Sequence, residues 1–281
     1  MSLAAQLARA LDFDPAGFVP WRADGEIVGW VLPETARALG DFPGVFRSSG
    51  AALTLRPRGR AARSAALERV ARELARRGLV TGWRDERYAV GSPAGRGPLF
   101  DLERSAMRRL GLHMRAAQLN AFVRSQGALR MWVARRSPTK PIDPDRLDNL
   151  VGGGIAAGMD ARGTLVKECW EEAGISLALA GRATPAGRLH IRHAVAEGLH
   201  DEALMVFDLE LGGGFVPANR DGEVSEFMLL EVPELVARLG AGEFTVDAGS
   251  VAIDWLERHG LAPPEAGLAA LLGRLRVPDR D

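Results

Sequence analysis

The chain is short of several things at once. It has a single cysteine in 281 residues, Cys169, so no disulfide can close within it. Lysine is nearly absent: Lys140 and Lys167 are the only two, and 34 of the 36 basic residues are arginine. Acidic residues also number 36, and a zero balance argues against a sequence-independent nucleic-acid binder, which needs a basic surface. No apolar run approaches the roughly 20 residues needed to cross a bilayer. Ser2 to Leu11 lacks the basic start and long apolar core of a secretory leader. The expectation is therefore a cytoplasmic protein with neither nucleic acid nor membrane among its partners. What remains is ordinary for a globular chain, with 47% apolar and 26% charged residues. The length suits one large domain or two ordinary ones.

Breaker residues and periodicity divide the chain. Phe18 to Arg22 and Glu26 to Leu32 flank Ala23-Asp24-Gly25 as a hairpin, and Pro33 opens a short helix to Leu39. Ala51 to Leu55 reads as a strand. Ser64 to Arg77 is an amphipathic helix with Leu67, Val70, Ala71 and Leu74 on one stripe. Thr81 to Val90 reads as a strand, Gly91 to Pro98 as a linker, and Leu102 to Leu110 as a helix. The basic stretch Arg56 to Arg63 reads as a solvated loop before a helix. Further on, Gln118 to Arg124 and Ala128 to Arg135 form a hairpin across Ser125-Gln126-Gly127. Ala203 to Leu211 and Glu226 to Leu230 are strands, while Pro233 to Leu239 and Val246 to His259 are helices. The expected domains are 1–105 and 106–281.

The most informative segment runs from Gly153 to Ile175. Asp160 is a candidate N-cap and Gly174 a candidate C-terminal stop for a helix from Ala161 to Ala173. Glu168, Glu171 and Glu172 are spaced three and four apart and share one face of that helix. Leu165, Val166, Cys169, Trp170 and Ala173 cover the other face, ready to dock on a sheet. Crowded carboxylates repel unless a cation joins them. A hard divalent ion such as Mg²⁺ takes oxygen ligands and is often shared with substrate phosphates. The competing explanation is a solvated glutamate-rich helix paired with surface arginines.

Gly153, Glu168, Cys169, Glu171, Glu172, Gly174 and Ile175 fall in register with the Nudix box, and the segment resembles that signature of the Nudix hydrolases. The resemblance implies an α/β/α Nudix sandwich, an α+β fold with a mixed sheet. The box helix would lie on one side of that sheet and the 246–259 helix on the other. It implies metal-assisted hydrolysis of a diphosphate, with Mg²⁺ as cofactor and Mn²⁺ able to substitute. Glu168, Glu171, Glu172 and the Gly153 carbonyl would hold the metal. A carboxylate in the box or on a later loop takes a proton from water, and Glu223 and Glu226 are the candidates outside the box. Two positions depart from the family pattern: Met159 replaces the box's first glutamate and Lys167 its arginine. We read the two changes as coupled, because a bidentate arginine has no purpose once its glutamate is gone.

Other segments narrow the resemblance. Arg146 to Asn149, Gly158-Met159, Leu165 to Glu168, Asp221 to Val224 and Asp254 to Gly260 are similar to the Nudix part of fungal thiamine-pyrophosphokinase fusion proteins. Those proteins carry an upstream α/β domain of unknown role, which residues 1–105 resemble as a small α+β unit. That unit is expected either to cover the active site or to mediate formation of a homodimer. The implied substrates are thiamine diphosphate and its oxidised or damaged analogues, cleaved to monophosphate and phosphate. Aromatic faces and a carboxylate would suit the cationic ring, so Trp132 and Phe122 are candidate stacking residues and Lys140 a candidate phosphate contact. Nucleoside diphosphate derivatives, a catalytically weak ligand-binding domain and an isomerase-like use of Cys169 are the alternatives. His113, His190, His193 and His200 show no metal spacing.

Overall fold

The computed structural model describes residues 2–91 and 97–278. The first helix, α1 (Leu3–Arg9), is capped by the Ser2 side chain. Strands β1 (Val19–Ala23) and β2 (Glu26–Val31) then pair antiparallel. The turn between them places Asp24 and Gly25 at positive φ, 51° and 85°. Helix α2 (Pro33–Gly40), strands β3 (Phe46–Ser49) and β4 (Ala52–Leu55) and helix α3 (Arg60–Arg76) continue the first unit. Its four-stranded sheet has the order β2-β1-β4-β3, with β1 and β4 parallel. The fully buried Trp21 anchors its core and donates through Nε1 to the Leu110 carbonyl at 2.8 Å. Arg63, expected in a solvated stretch, is buried and bonded to Asp24 and the Pro57 carbonyl.

Two expectations fail between residues 81 and 110. Only β5 (Arg87–Gly91) of the 81–90 segment is strand. The anticipated helix at 102–110 is instead the end of β6 (Pro98–Glu103) followed by a single 3-10 turn, Arg104–Ala106. Phe100 and Leu102 are buried while Leu99 and Asp101 are only partly so, a period of two that marks a strand. β5 pairs antiparallel with β6, so the breaker-rich segment expected as a linker connects two paired strands. Residues 92–96 of it lie outside the described residues.

The second unit is a seven-stranded mixed sheet. Its strands are β7 (His113–Ser125), β8 (Ala128–Arg136), β9 (Leu147–Asn149), β10 (Val151–Gly154), β11 (Thr184–Val195), β12 (Gly198–Leu211) and β13 (Val224–Glu231). Order runs β11-β12-β7-β8-β13, with β10 on β7 and β9 on β8. β12 and β7 are parallel, and the other pairs are antiparallel. Helix α4 (Ala161–Ala173) packs Leu165, Cys169 and Ala173 against Ala117, Leu119, Ala121 and Val123. The short α5 (Leu177–Ala180) extends that layer. On the opposite face lie α6 (Val232–Ala241), α7 (Val246–Arg258) and α8 (Leu268–Leu275), packed on Ala116, Phe122, Met131 and Val133. Alternation along β7 thus sends odd residues to one helix layer and even residues to the other. α1 joins this second core: Leu3, Leu7 and Ala10 lie with Leu235, Val251 and Trp255.

Candidate active site

Local chemistry builds α4 as its sequence demands. Asp160 accepts from the Gly163 amide at 2.6 Å, and Gly174 ends the helix in the left-handed region at φ 65°. The last carbonyls of a helix lack partners within it. Here the loop before β13 supplies them: Ala218 donates to the Ala173 carbonyl at 3.0 Å and Arg220 to that of Glu171 at 2.9 Å. That docking carries Asp221 and Glu223 to Glu172, and one oxygen from each of the three lies within 4.8 Å of the others.

Glu172 is 7% exposed and accepts the Gly152 amide at 2.9 Å. Burial raises its pKa well above the ordinary carboxylate value, and neighbouring Glu168 adds to the effect. Glu168 is also raised by burial, with Lys167 opposing. Glycine is required beside it, because a Cβ on Gly153 would stand 2.5 Å from Glu168 Cγ. The backbone at 153 therefore reaches the carboxylates directly. A buried carboxylate short of a counter-charge, set among further hard oxygen donors, fits a divalent cation.

Both lysines of the chain meet these acids. Lys167 donates to Glu171 at 2.6 Å and Glu168 at 3.2 Å, and Lys140 bonds Glu223. Burial alone would raise Glu223, yet Lys140, with Arg84 and Arg104 nearby, holds it below its ordinary pKa. Met159 is exposed with its Cε beside Gly163, one turn into α4.

The carboxylates and both lysines line a cleft of about 660 Å³, and its other wall comes from the part of the first unit around β5 and β6, whose Tyr88, Phe100 and Leu102 share the core of Trp21. Arg84, Tyr88, Arg104 and Arg108 line that wall, and Asp148, His200, Glu202 and Asp247 also line the cleft. Tyr88 closes against the second unit so tightly that a Cβ on Gly154 would lie 1.7 Å from its hydroxyl oxygen. The Ala157 amide donates to the Arg87 carbonyl at 2.8 Å, and that of Leu199 to Arg108 at 3.0 Å.

Several expected site residues lie elsewhere. Phe122 is buried against Trp255, with ring centroids 5.6 Å apart. Trp132 packs on the α4 side of the sheet. Neither lines the cleft; among the described residues Tyr88 is its aromatic ring. Glu226 faces its cross-strand neighbour Arg135 at 2.9 Å, outside the cleft. Trp170 does not dock on the sheet: it is 49% exposed beneath Arg220, whose Cζ lies 3.8 Å from the ring centroid. Cys169 is fully buried and its thiol is pushed up to about 12 by desolvation, which removes it as a nucleophile.

The histidines, read from the sequence as ordinary surface or core residues without metal spacing, gather in two groups. Asp201 accepts from His113 at 2.6 Å and His190 at 2.9 Å, and forms an ion pair with Arg192 at 2.9 Å. His200 takes the Arg108 Nε–H on Nδ1 at 3.1 Å, so its own proton sits on Nε2 and points to Asp247 at 3.0 Å. His200 then has no ring lone pair to offer a metal. Asp201 and Glu202 are neighbours on β12, whereas Asp247 comes from the first turn of α7. The run His200-Asp201-Glu202 beside an apolar strand is the sequence signal for the first two, and Asp247 has none.

The fold and the acid-lined helix define a class, the Nudix-type diphosphohydrolases. Residues 2–114 match a family model described as a domain of unknown function, DUF4743, and residues 114–247 match the NUDIX domain. The chain is 36% identical over 271 residues to Nudix hydrolase 24, chloroplastic, of Arabidopsis thaliana, covering 93% of this chain and 73% of that protein. Nudix hydrolase 20, chloroplastic, of the same plant is 34% identical over 276 residues, covering 93% and 74%. A C. elegans Ap4A hydrolase structure aligns with 52% of this chain and 98% of its own at 15% identity and TM-score 0.41. The chain belongs to the Nudix hydrolase family and carries an N-terminal DUF4743 domain.

Proposed function

We propose that the enzyme hydrolyses a small organic diphosphate to a monophosphate and phosphate, using Mg²⁺ held by Glu168, Glu171, Glu172 and the Gly153 carbonyl. The observation that carries this reading is Glu172, buried, without a cationic partner of its own among the described residues, and joined by Asp221 and Glu223. When bound, the ion neutralises phosphate charge and acidifies water. Gly152 orients Glu172 through its amide, and Glu223, grouped with Glu172 and Asp221, is the carboxylate outside the box to which we assign acceptance of the proton from water.

Thiamine diphosphate or an oxidised analogue is the proposed substrate class. A cationic ring would meet the acidic side chains of Glu202 and Asp247 lining the cleft, while its phosphates would meet the cationic side chains beside the carboxylates. The cytoplasmic site of action stands as part of the same proposal. Phosphate release from thiamine diphosphate, its oxidised analogues and nucleotide sugars is the test, with Glu172→Gln in parallel. Release from the thiamine series, abolished by Glu172→Gln, supports the reading. Release confined to nucleotide sugars overturns the substrate, and no release on any compound overturns the reaction.

A further inference from the structure

Five arginines line the cleft, and three are turned to groups of the protein itself. Arg108 serves His200 at 3.1 Å and pairs with Glu197 at 3.6 Å. Arg109 serves the Leu79 carbonyl at 2.9 Å and Thr35 at 3.3 Å. Arg136 serves Asp148 at 2.6 Å and the carbonyls of Ile142 and Asp143. Arg84 and Arg104 differ. Among the described residues, Arg84 meets one side chain, Glu223, at a loose 3.5 Å. Arg104 gives one nitrogen to Glu86 at 2.9 Å and rests over the Tyr88 ring, its Cζ 5.6 Å from the centroid. A guanidinium has five N–H donors, so most donors on both remain uncommitted.

One group holds both segments that carry them. Glu103 is 1% exposed, and its Oε1 accepts the Arg84 amide at 3.0 Å and the Ser105 amide at 3.2 Å. A single buried carboxylate thus sets both the loop that carries Arg84 and the turn that carries Arg104. Arg104 is close enough to act electrostatically on Glu168, Glu202 and Glu223 together.

We propose that Arg84 and Arg104 form a phosphate-binding subsite through which the N-terminal domain completes the active site, with Glu103 as its positioning residue. The ligand class is a diphosphate. One part of it faces the box carboxylates, and oxygens directed away from them accept from the two guanidiniums, which suit phosphate in paired geometry. The inference rests on the hydrolase reading for the substrate's location.

The test is calorimetric binding of methylenediphosphonate, a non-hydrolysable probe, with Mg²⁺ to the full chain, beside phosphate release from thiamine diphosphate. Arg84→Ala and Arg104→Ala should each weaken probe binding about tenfold or more, the size of a lost charge-assisted hydrogen bond. Arg104→Lys should recover only part of this. The exposed Arg56→Ala should bind as wild type does. Glu103→Gln should weaken the probe less than either alanine variant, with an unchanged Tm showing that the fold is retained. Equal binding by Arg84→Ala, Arg104→Ala and wild type overturns the subsite and leaves the hydrolase reading intact. Arginine-dependent binding without phosphate release on any substrate overturns the hydrolase reading and leaves the subsite. A wild type that does not bind the probe overturns the subsite, and phosphate release then judges the reaction separately.

Discussion

Glu172→Gln should make the metal-free protein more stable as it makes the enzyme inactive. Burial raises the folded-state pKa of Glu172 well above 4.5. The folded chain therefore keeps a proton that the unfolded chain has released. Stability contributed by this residue falls as pH rises from about 4.5 through the folded pKa, by up to about 1.4 kcal/mol per pH unit. A chain of this length has an unfolding entropy of about 0.6 kcal/mol/K, so each unit is worth about 2 °C in Tm. Glutamine cannot ionise but still offers an oxygen to the Gly152 amide. Melts of both proteins in chelator from pH 5 to 9 should show the variant's advantage growing by up to about 2 °C per unit. The difference between the curves isolates Glu172 from oppositely shifted groups such as Glu223 and Asp201, which favour folding above their unfolded pKa values. Mg²⁺ at about a hundred times its Kd adds about 2.7 kcal/mol, so it should raise wild-type Tm by about 4 °C and the variant's far less. A pH-independent difference, or equal stabilisation of both proteins by Mg²⁺, would refute the assignment.

Other outcomes follow from the same geometry. Gly154→Ala drives a methyl group into the Tyr88 hydroxyl and should cost about 1–3 kcal/mol; Tyr88→Phe in that background, which removes the hydroxyl, should restore part of the Tm, and a neutral Gly154→Ala would contradict the tight seam. Cys169→Ala should leave kcat within about twofold while costing about 1 kcal/mol of stability through the cavity it opens; a large fall in kcat with the fold intact would revive a role for the thiol. Lys167→Arg alone should change Mg²⁺ affinity by grasping Glu168 and Glu171 differently, with Met159→Glu shifting it again in a non-additive cycle. If the double substitution leaves activity and stability both unchanged, the two positions are not coupled.

The features legible in the sequence were those whose causes are local. The α4 helix begins at Asp160 and ends at Gly174 because a cap and a left-handed stop are properties of single residues. The hairpin of β7 and β8 forms across Gln126 and Gly127, both at positive φ. The 102–110 segment misled because its leucines suit either period, and pairing with β5 decided for strand. β11 escaped notice because Pro185, Gly187 and its arginines and histidines hide the alternation that buries Leu189 and Ile191. The box carboxylates were found because they lie on one helix. Asp247 and the arginine wall were not, because only tertiary contacts bring them to the cleft. The two stacking candidates, Phe122 and Trp132, failed because alternation along a strand does not say which face is the cleft.

The placement of α1 has a consequence for how the protein can move and be cut. Helix α1 lies in the second core, where Gln6 donates to the Thr245 carbonyl at 3.1 Å at the head of the helix carrying Asp247. It then leaves to build the first sheet and returns at β7. On the way out it also lies along the edge of β11, with Arg192 donating to the Ala10 carbonyl at 2.7 Å and Ala194 to Asp12 at 3.0 Å. The N-terminal unit is therefore an insertion tied down at both ends, not a pendant on one hinge. Its arginine wall is thereby held beside the box carboxylates, and a fragment starting after residue 105 would lose a support of α7 along with that wall.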